Sequence, residues 1–159
     1  MFEKAYKSIE PYFKNGSKNI NTNFWYALCA GKYGKVKGII KTLFLVKPMK
    51  KACKEVAKQN PGYEEGTALT ILDAIEYEIP GGDKELTITY CNRALKYDAF
   101  GLTPNLYLAK AYYKKKEYKK AKERLVVIIE NSKIKTKDEK KDLQEAKDLL
   151  KKVHEKLTG

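Results

Sequence analysis

The sequence predicts an all-α domain assembled from helix-turn-helix units, and two observations lead to this prediction. Turn-forming clusters of glycine, proline and asparagine recur along the chain, and such clusters end regular secondary structure. Between them run long segments whose apolar residues recur at steps of three and four, the period of an α-helix, with no strand-like alternation. The clusters lie at 15–17, 60–62, 80–83 and 100–104.

An N-terminal helix is followed by a first helix pair, which is predicted at about 23–33 and 49–58. The residues between the two helices, 35–47, are too many for a turn. Their pattern leaves open whether they continue a helix or form a packed loop. Pro48 is expected in the first turn of the second helix, where its missing N–H has no intrahelical partner in any case.

Two more pairs follow along the chain. One is predicted at 66–77 and 84–97, around the turn Pro80–Asp83. The other lies between Tyr107 and Asn131, with a break at 114–117. Short connections make the helices of each pair antiparallel neighbours.

The final helix carries the clearest local signals. Thr136 and Glu139 have the spacing of a capping box, in which each residue satisfies a free N–H at the start of a helix. One apolar stripe follows and consists of Leu143, Ala146, Leu150, Val153 and Leu157. We therefore expect a helix at 136–157 that caps the domain and turns a charged face to solvent.

The three pairs resemble the tetratricopeptide repeat. The third pair carries the best match, with Asn105, Leu108, Ala109 and Tyr112 on its first helix and Ala121 and Leu125 on its second. Trp25, Leu69 and Asn105 align as equivalent positions, spaced by 44 and 36 residues, against a repeat period of about 34.

This resemblance implies a tetratricopeptide-like right-handed superhelix of about three units, with additional N- and C-terminal helices. The units are placed at 21–61, 62–101 and 102–132. We expect a single helical-repeat domain over residues 1–159.

Residues 21–131 are also similar to the T-component family of TRAP transporters. The similarity is carried by the entry helix Phe24–Ala27, the step Pro61–Gly66 and the turn Pro80–Lys84. Members of that family are periplasmic helical-repeat lipoproteins that pair with a substrate-binding protein and oligomerise around a pore. This chain differs from them in its basic charge and in having no lipobox or signal sequence.

The charge of the chain is strongly positive, at +13, and it is uneven. Residues 32–58 hold nine lysines and one acid, and residues 110–124 hold seven lysines and one arginine against two acids. Such stretches can attract nucleic acid or anionic lipid, and the alternative is a solvated, lysine-rich surface with no such partner. The chain has only two arginines, Arg93 and Arg124, and arginine is the residue that recognises phosphate most effectively.

Enzyme and metal chemistry find little support in the sequence. Cys29, Cys53 and Cys91 are far apart and His154 is the only histidine, so we expect buried reduced thiols, no metal site and no disulfide framework. No nucleophile motif or phosphate loop is present, and Asp73, Glu76 and Glu78 are interpreted as groups on helix surfaces. We therefore expect no catalytic residues, no cofactor and no enzymatic activity.

The first helices of stacked units line a concave groove, and tyrosines and lysines align along it. One groove position carries a tyrosine in every unit, and lysines follow on the third unit. Packing between repeats is the alternative role for the tyrosines, and an alignment error of one residue would rotate the face by about 100°. The predicted site residues are Tyr26, Tyr33, Tyr77, Lys110, Tyr113 and Lys114.

The predicted function is that of an interaction scaffold that binds an acidic peptide or partner protein in this groove. Such a scaffold could serve as an accessory component of a solute transport system, and it could also associate with further copies of itself. The alternative is a basic helical module that binds nucleic acid or an anionic ligand. No transmembrane segment is expected. We expect a soluble, cytoplasmic protein, or a periplasmic or lipid-anchored one if it is made with a signal sequence.

Overall fold

The computed structural model describes residues 1–131, 133–134 and 136–159, and this part of the chain is all-helical, which confirms the predicted all-α class. No strand occurs among these residues. None of their helices is both long and apolar enough to cross a bilayer. The α-helices are α1 (Phe2–Lys14), α2 (Ile20–Lys37), α3 (Ile39–Gln59), α4 (Thr67–Glu78), α5 (Lys84–Ala94), α6 (Leu102–Lys114), α7 (Tyr118–Asn131) and α8 (Lys137–Thr158).

The even-numbered helices form a continuous layer. Each helix contacts the next one along the chain, and in addition α2 contacts α4, α4 contacts α6, and α6 contacts α8. Within the described ranges, α3, α5 and α7 make no contact with one another. Each of them packs instead against two members of the even-numbered layer, so that consecutive helix pairs stack side by side along this layer.

Two apolar clusters form the core. The first lies among α1, α2, α3 and α4 and is rich in aromatic rings. The second lies among α6, α7 and α8. Small side chains let neighbouring helices approach closely, because a larger group would have to push a close-packed interior apart. The alanines with no exposed area are Ala30, Ala52, Ala109, Ala111, Ala121 and Ala146.

The segment 35–47, which the sequence left undecided, is helical with one break. Gly38 has φ 97°, in the left-handed region, and it separates α2 from α3. Gly34 brings the two helices together, since a Cβ there would lie 2.9 Å from the Thr42 Oγ1. Pro48 lies inside α3 and not in its first turn, which corrects the prediction. The helix continues through it because Leu45, Met49, Ala52 and Val56 bury one uninterrupted stripe.

The turn between α4 and α5 has the predicted position. The Asp83 carboxylate caps α5 and accepts hydrogen bonds from the N–H groups of Glu85 and Leu86, at 2.8 and 3.2 Å. Gly82 is required for close approach, because a Cβ at this position would lie 2.1 Å from the carbonyl oxygen of Glu76. The turn therefore folds tightly back onto the end of α4.

The predicted C-terminal helix is confirmed as α8. Thr136 and Glu139 form the capping box, with each side chain accepting from the other residue's backbone N–H. Ala146 and Val153 of the apolar stripe have no exposed area, and they belong to the second core cluster. Ser132, the last residue of the predicted third unit, lies outside the described residues.

Two acids that the sequence interpreted as surface groups are buried, which corrects that interpretation. Asp73 has no exposed area, and the Cys91 thiol donates to its Oδ2 at 3.3 Å. Glu76 is 5% exposed and forms an ion pair with Lys50 at 2.5 Å, which links α4 to α3. Burial raises the pKa of Asp73 well above its usual value, although the Cys91 thiol and the backbone N–H of Ala74 oppose this rise.

We predict that Gly82→Ala lowers the free energy of unfolding by about 2–3 kcal/mol, because the added methyl group collides with backbone that cannot move freely. Gly16→Ala is the control. Gly16 also has a positive φ, but a Cβ there meets nothing within 4 Å, so we expect a loss of about 1 kcal/mol. Urea denaturation measures both values. Equal losses in the two variants would contradict the role of Gly82.

We predict that Asp73→Asn stabilises the protein near neutral pH. The folded pKa of Asp73 is raised, so the folded state binds more protons than the unfolded chain, and the contribution of this residue to stability falls as pH rises above about 4. Asparagine has no such ionisation. Thermal melting across this pH range should show a gain in Tm that grows from acidic to neutral pH. A gain independent of pH would contradict the ionisation argument.

Candidate functional site

A cleft of about 650 Å³ crosses the even-numbered layer between α4, α6 and α8. Tyr77 of α4 and Tyr113 of α6 contribute aromatic surface to it, and α8 closes its other side. The charged lining residues include Lys110, Lys114, Lys141, Glu145, Asp148 and Lys152. The cleft thus combines apolar rings with an excess of positive charge.

The Tyr77 ring is surrounded by three lysine ammonium groups. The Nζ atoms of Lys84, Lys110 and Lys114 lie 4.6, 4.9 and 4.5 Å from the centroid of the ring. Each of these distances is within the range of a cation–π contact, which is worth about 0.5–1 kcal/mol where water has access. The negative face of one ring therefore helps to hold three like charges close together.

These three ammonium groups differ in their counter-ions. The Lys110 Nζ lies 2.9 Å from Glu145 Oε1 on α8 and 3.5 Å from Glu78 Oε1 on α4, so this lysine links three helices. Lys84 and Lys114 form no ion pair with any carboxylate of the described residues. Two ammonium groups without a direct ion pair therefore lie beside the Tyr77 ring, and Glu78, Glu76 and Asp83 act on Lys84 from a greater distance.

The position of Lys84 is fixed by backbone groups. Its Nζ donates to the carbonyl oxygen of Tyr77 at 2.7 Å and so caps the C-terminal end of α4. Burial lowers the pKa of Lys84, and repulsion from Lys114 lowers it further. Both causes act against the charged form of the amine, and an anion bound between Lys84 and Lys114 would oppose both.

Tyr107 forms the base of this arrangement. Its ring meets the Tyr77 ring edge to face, with the centroids 5.4 Å apart, and the Lys110 Nζ lies 4.7 Å from its centroid. Its hydroxyl donates to Glu78 Oε1 at 3.1 Å. Burial raises the pKa of Tyr107, so it stays a neutral hydrogen-bond donor and holds Glu78 beside Lys110.

Four of the six predicted site residues come together in the cleft: Tyr77, Lys110, Tyr113 and Lys114. Tyr26 and Tyr33 lie elsewhere, against α1. The Tyr26 ring is 2% exposed and stacks on Phe13, with the centroids 3.8 Å apart. The Tyr33 ring stacks on Tyr6 at 4.7 Å. Both tyrosines are core residues in this structure and not the groove residues that the sequence alignment suggested.

An error of two residues in the alignment explains this difference. The Asn23 side chain donates to the carbonyl oxygens of the residues six and four positions before it, and Asn105 makes the same two bonds. The two asparagines make the same contacts at the start of their helices and lie 82 residues apart (23 and 105), whereas the alignment placed Trp25 opposite Asn105. Two residues rotate a helix face by about 200°. An alignment of the two asparagines would place Gly31, and not Tyr33, opposite Tyr113.

Sequence reasoning missed Lys84, Tyr107 and Glu145. A signal existed for Lys84, because a lysine just across a tight turn can reach back to the carbonyl groups that end the preceding helix. Tyr107 lies seven residues before Lys114, on the same face of α6. Glu145 carried no signal of its own, since its role depends on how α8 packs against α6.

The remaining reactive groups give no second site. Among the described residues, no cluster of three histidine, cysteine or acidic side chains could hold a metal ion. Cys53 and Cys91 are buried free thiols, as predicted, and Cys29 is partly exposed. Burial raises the pKa of Cys53 to about 12 and raises that of Cys91 as well, so both thiols are protonated at neutral pH. The cleft offers aromatic surface together with ammonium and carboxylate groups.

We predict that Lys110 and Glu145 couple α6 to α8. Lys110→Met keeps the apolar stem of the side chain but removes the charge, so the ion pairs to Glu78 and Glu145 are lost. A double-mutant cycle with Glu145→Gln should give a coupling energy of about 0.5–1 kcal/mol that falls as salt is added. Additive effects of the two substitutions would show that the contact contributes nothing to stability.

Comparison with other proteins gives no independent indication of function. No family model matches the sequence, and no curated protein is significantly similar to it. The basis for a function is therefore the arrangement of residues in the cleft.

Proposed function

We propose that this protein is a tetratricopeptide-like interaction module that binds an acidic or carboxylate-bearing segment of a partner in the cleft between α4, α6 and α8. The observation that carries the proposal is the Tyr77 ring with three ammonium groups between 4.5 and 4.9 Å from its centroid. The proposal gives the cleft a binding role and no catalytic step.

The chemistry of the site favours a carboxylate over a neutral group. Lys84 and Lys114 have no counter-ion among the described carboxylates, and each could donate a charge-assisted hydrogen bond to an incoming carboxylate. Such a group would also relieve the repulsion between the two amines, which contributes to the lowered pKa of Lys84. The rings of Tyr77 and Tyr113 offer apolar surface for the rest of the bound segment.

The helix contacts support the repeat architecture in this proposal. In stacked helical repeats, the first helices of successive units lie side by side and line an extended concave binding surface. The contacts between α2, α4, α6 and α8 follow that order. The identical hydrogen bonds of Asn23 and Asn105 support equivalent first helices in the first and third units.

A narrower form of the proposal follows from the similarity of residues 21–131 to the TRAP transporter T-component family. The module would then be an accessory component of a solute transport system, with a substrate-binding protein as its partner. In this form of the proposal, the partner presents an acidic segment to the cleft between α4, α6 and α8.

We predict that a fluorescently labelled oligoglutamate peptide binds the protein and that an oligoglutamine peptide of equal length does not. Fluorescence anisotropy should show affinity that falls as salt is added, because charge pairs carry the binding. The variant Lys84→Gln/Lys114→Gln should bind at least tenfold more weakly. Tyr77→Leu/Tyr113→Leu keeps apolar volume but removes the ring faces, and it should weaken binding severalfold through the lost cation–π contacts.

The matched control is Lys119→Gln/Lys147→Gln, which removes the same net charge at exposed lysines outside the cleft. It should bind the oligoglutamate peptide almost as the parent protein does. An equal loss of affinity in both lysine double variants would mean that only overall charge matters, and the cleft would no longer be supported as the site. Urea denaturation of every variant separates lost binding from lost folding.

A further inference from the structure

A second surface, unconnected with the cleft, exposes apolar side chains at the junction of α2 and α3. Ile40 is 71% exposed and Phe44 is 76% exposed. The start of α1 reaches the same place, because Glu3 forms an ion pair with Lys37 at 2.9 Å. We define the apolar corner as Val36, Ile39, Ile40, Leu43 and Phe44, all of which are exposed. Clustered exposed apolar residues of this kind mark interaction surfaces.

The outer face of α3 continues this corner as a row of lysines. Residues 39, 40, 43, 44, 47, 51, 54 and 58 recur at steps that place them on one side of a helix. We define the lysine ridge as Lys47, Lys51, Lys54 and Lys58, which line a shallow groove on this face. All four are exposed, and none forms an ion pair with a carboxylate of the described residues. One face of α3 is therefore apolar over its first turns and cationic over the rest.

The positive charge of this face of α3, together with its exposed apolar side chains, distinguishes between the possible binding partners. A second copy of the chain would bring one lysine ridge against another, since residues 32–58 carry nine lysines and one acid. Nucleic acid would match the lysines but would leave the aliphatic side chains of the apolar corner in water. An anionic bilayer meets both requirements, because lysines bind its headgroups and apolar side chains enter the boundary between the headgroups and the acyl chains.

We propose that the apolar corner and the lysine ridge bind the surface of an anionic lipid bilayer, with α3 lying along the membrane plane. Ile40 and Phe44 insert between the headgroups, and the lysines of the ridge rest on the anionic surface. The cleft is built from α4, α6 and α8, so membrane binding and partner binding use different helices. The protein would thereby hold its cleft at a membrane without spanning it.

The test is flotation of the purified protein with vesicles of phosphatidylcholine and phosphatidylglycerol in equal parts. We expect binding to these vesicles at low salt and little binding to phosphatidylcholine alone. Ile40→Ser/Phe44→Ser should reduce partitioning at least tenfold. Lys47→Gln/Lys54→Gln/Lys58→Gln should reduce it by up to about a hundredfold, since each lysine near the surface contributes about fivefold. The control Lys119→Gln/Lys147→Gln/Lys156→Gln removes the same charge elsewhere and should retain most of the binding.

A second measurement tests insertion directly. Trp25 is the only tryptophan, so Phe44→Trp in a Trp25→Phe background places a single reporter at the apolar corner. Its emission should shift to shorter wavelength when anionic vesicles are added. Phe100→Trp in the same background reports from an exposed site between α5 and α6 and should not shift.

Three outcomes would overturn the proposal. Binding that survives Ile40→Ser/Phe44→Ser, with no spectral shift at position 44, would indicate electrostatic adsorption only. Failure to bind anionic vesicles, together with capture of polyglutamate that depends on the same residues, would assign the face to an acidic polypeptide. A dimer in light scattering that the same serine substitutions dissociate would assign it to a second copy of the chain.

Discussion

The close approach of neighbouring helices is the constraint on which the rest of the structure depends. Alanines with no exposed area lie on α2, α3, α6, α7 and α8, and a larger side chain at such a point would push two packed helices apart. This approach lets α2, α4, α6 and α8 form one layer. Only because α4 and α6 are neighbours in that layer can a lysine of α6 lie 4.5 Å from the centre of a tyrosine ring on α4.

A carboxyl group also lies within this packed interior. Asp73 of α4 has no exposed area, as is the case for Ala109 on the neighbouring α6. The Cys91 thiol gives this carboxyl a hydrogen-bond partner, and burial keeps it in the neutral form more readily than an exposed acid.

The excess of positive charge is balanced unevenly by ion pairs. Some lysines are neutralised locally, as Lys50 is by Glu76 and Lys110 is by Glu78 and Glu145. Others form no ion pair with a carboxylate of the described residues; they are spread over the surface, and they include Lys114 beside the Tyr77 ring and the lysine ridge of α3. Uncompensated charge is costly for a protein to concentrate. Its location is therefore more informative than the net value of the whole chain.

Local features of this fold were predictable from sequence, and features that depend on tertiary contacts were not. The capping box of α8 and the turn at Asp83 involve residues within one helical turn, so their spacing alone identifies them. Which side chains of α2 face the core depends on how Asn23 is hydrogen-bonded to the preceding loop. A shift of two residues in the sequence alignment was enough to misplace Tyr26 and Tyr33. Four of the predicted site residues, Tyr77, Lys110, Tyr113 and Lys114, lie together in the cleft. The buried Asp73 gave no clear signal, because burial is a property of the assembled helices.

The division of the core into two clusters bears on the cleft. One apolar cluster joins α1 to α4, and the other joins α6 to α8. Buried residues of α4, α5 and α6, among them Leu69, Cys91 and Leu108, connect the two clusters. Tyr77 lies on the side of the first cluster, and Lys110 and Lys114 lie on the side of the second. The cleft therefore lies where side chains from both clusters' helices meet, and its shape depends on the packing of α4 against α6.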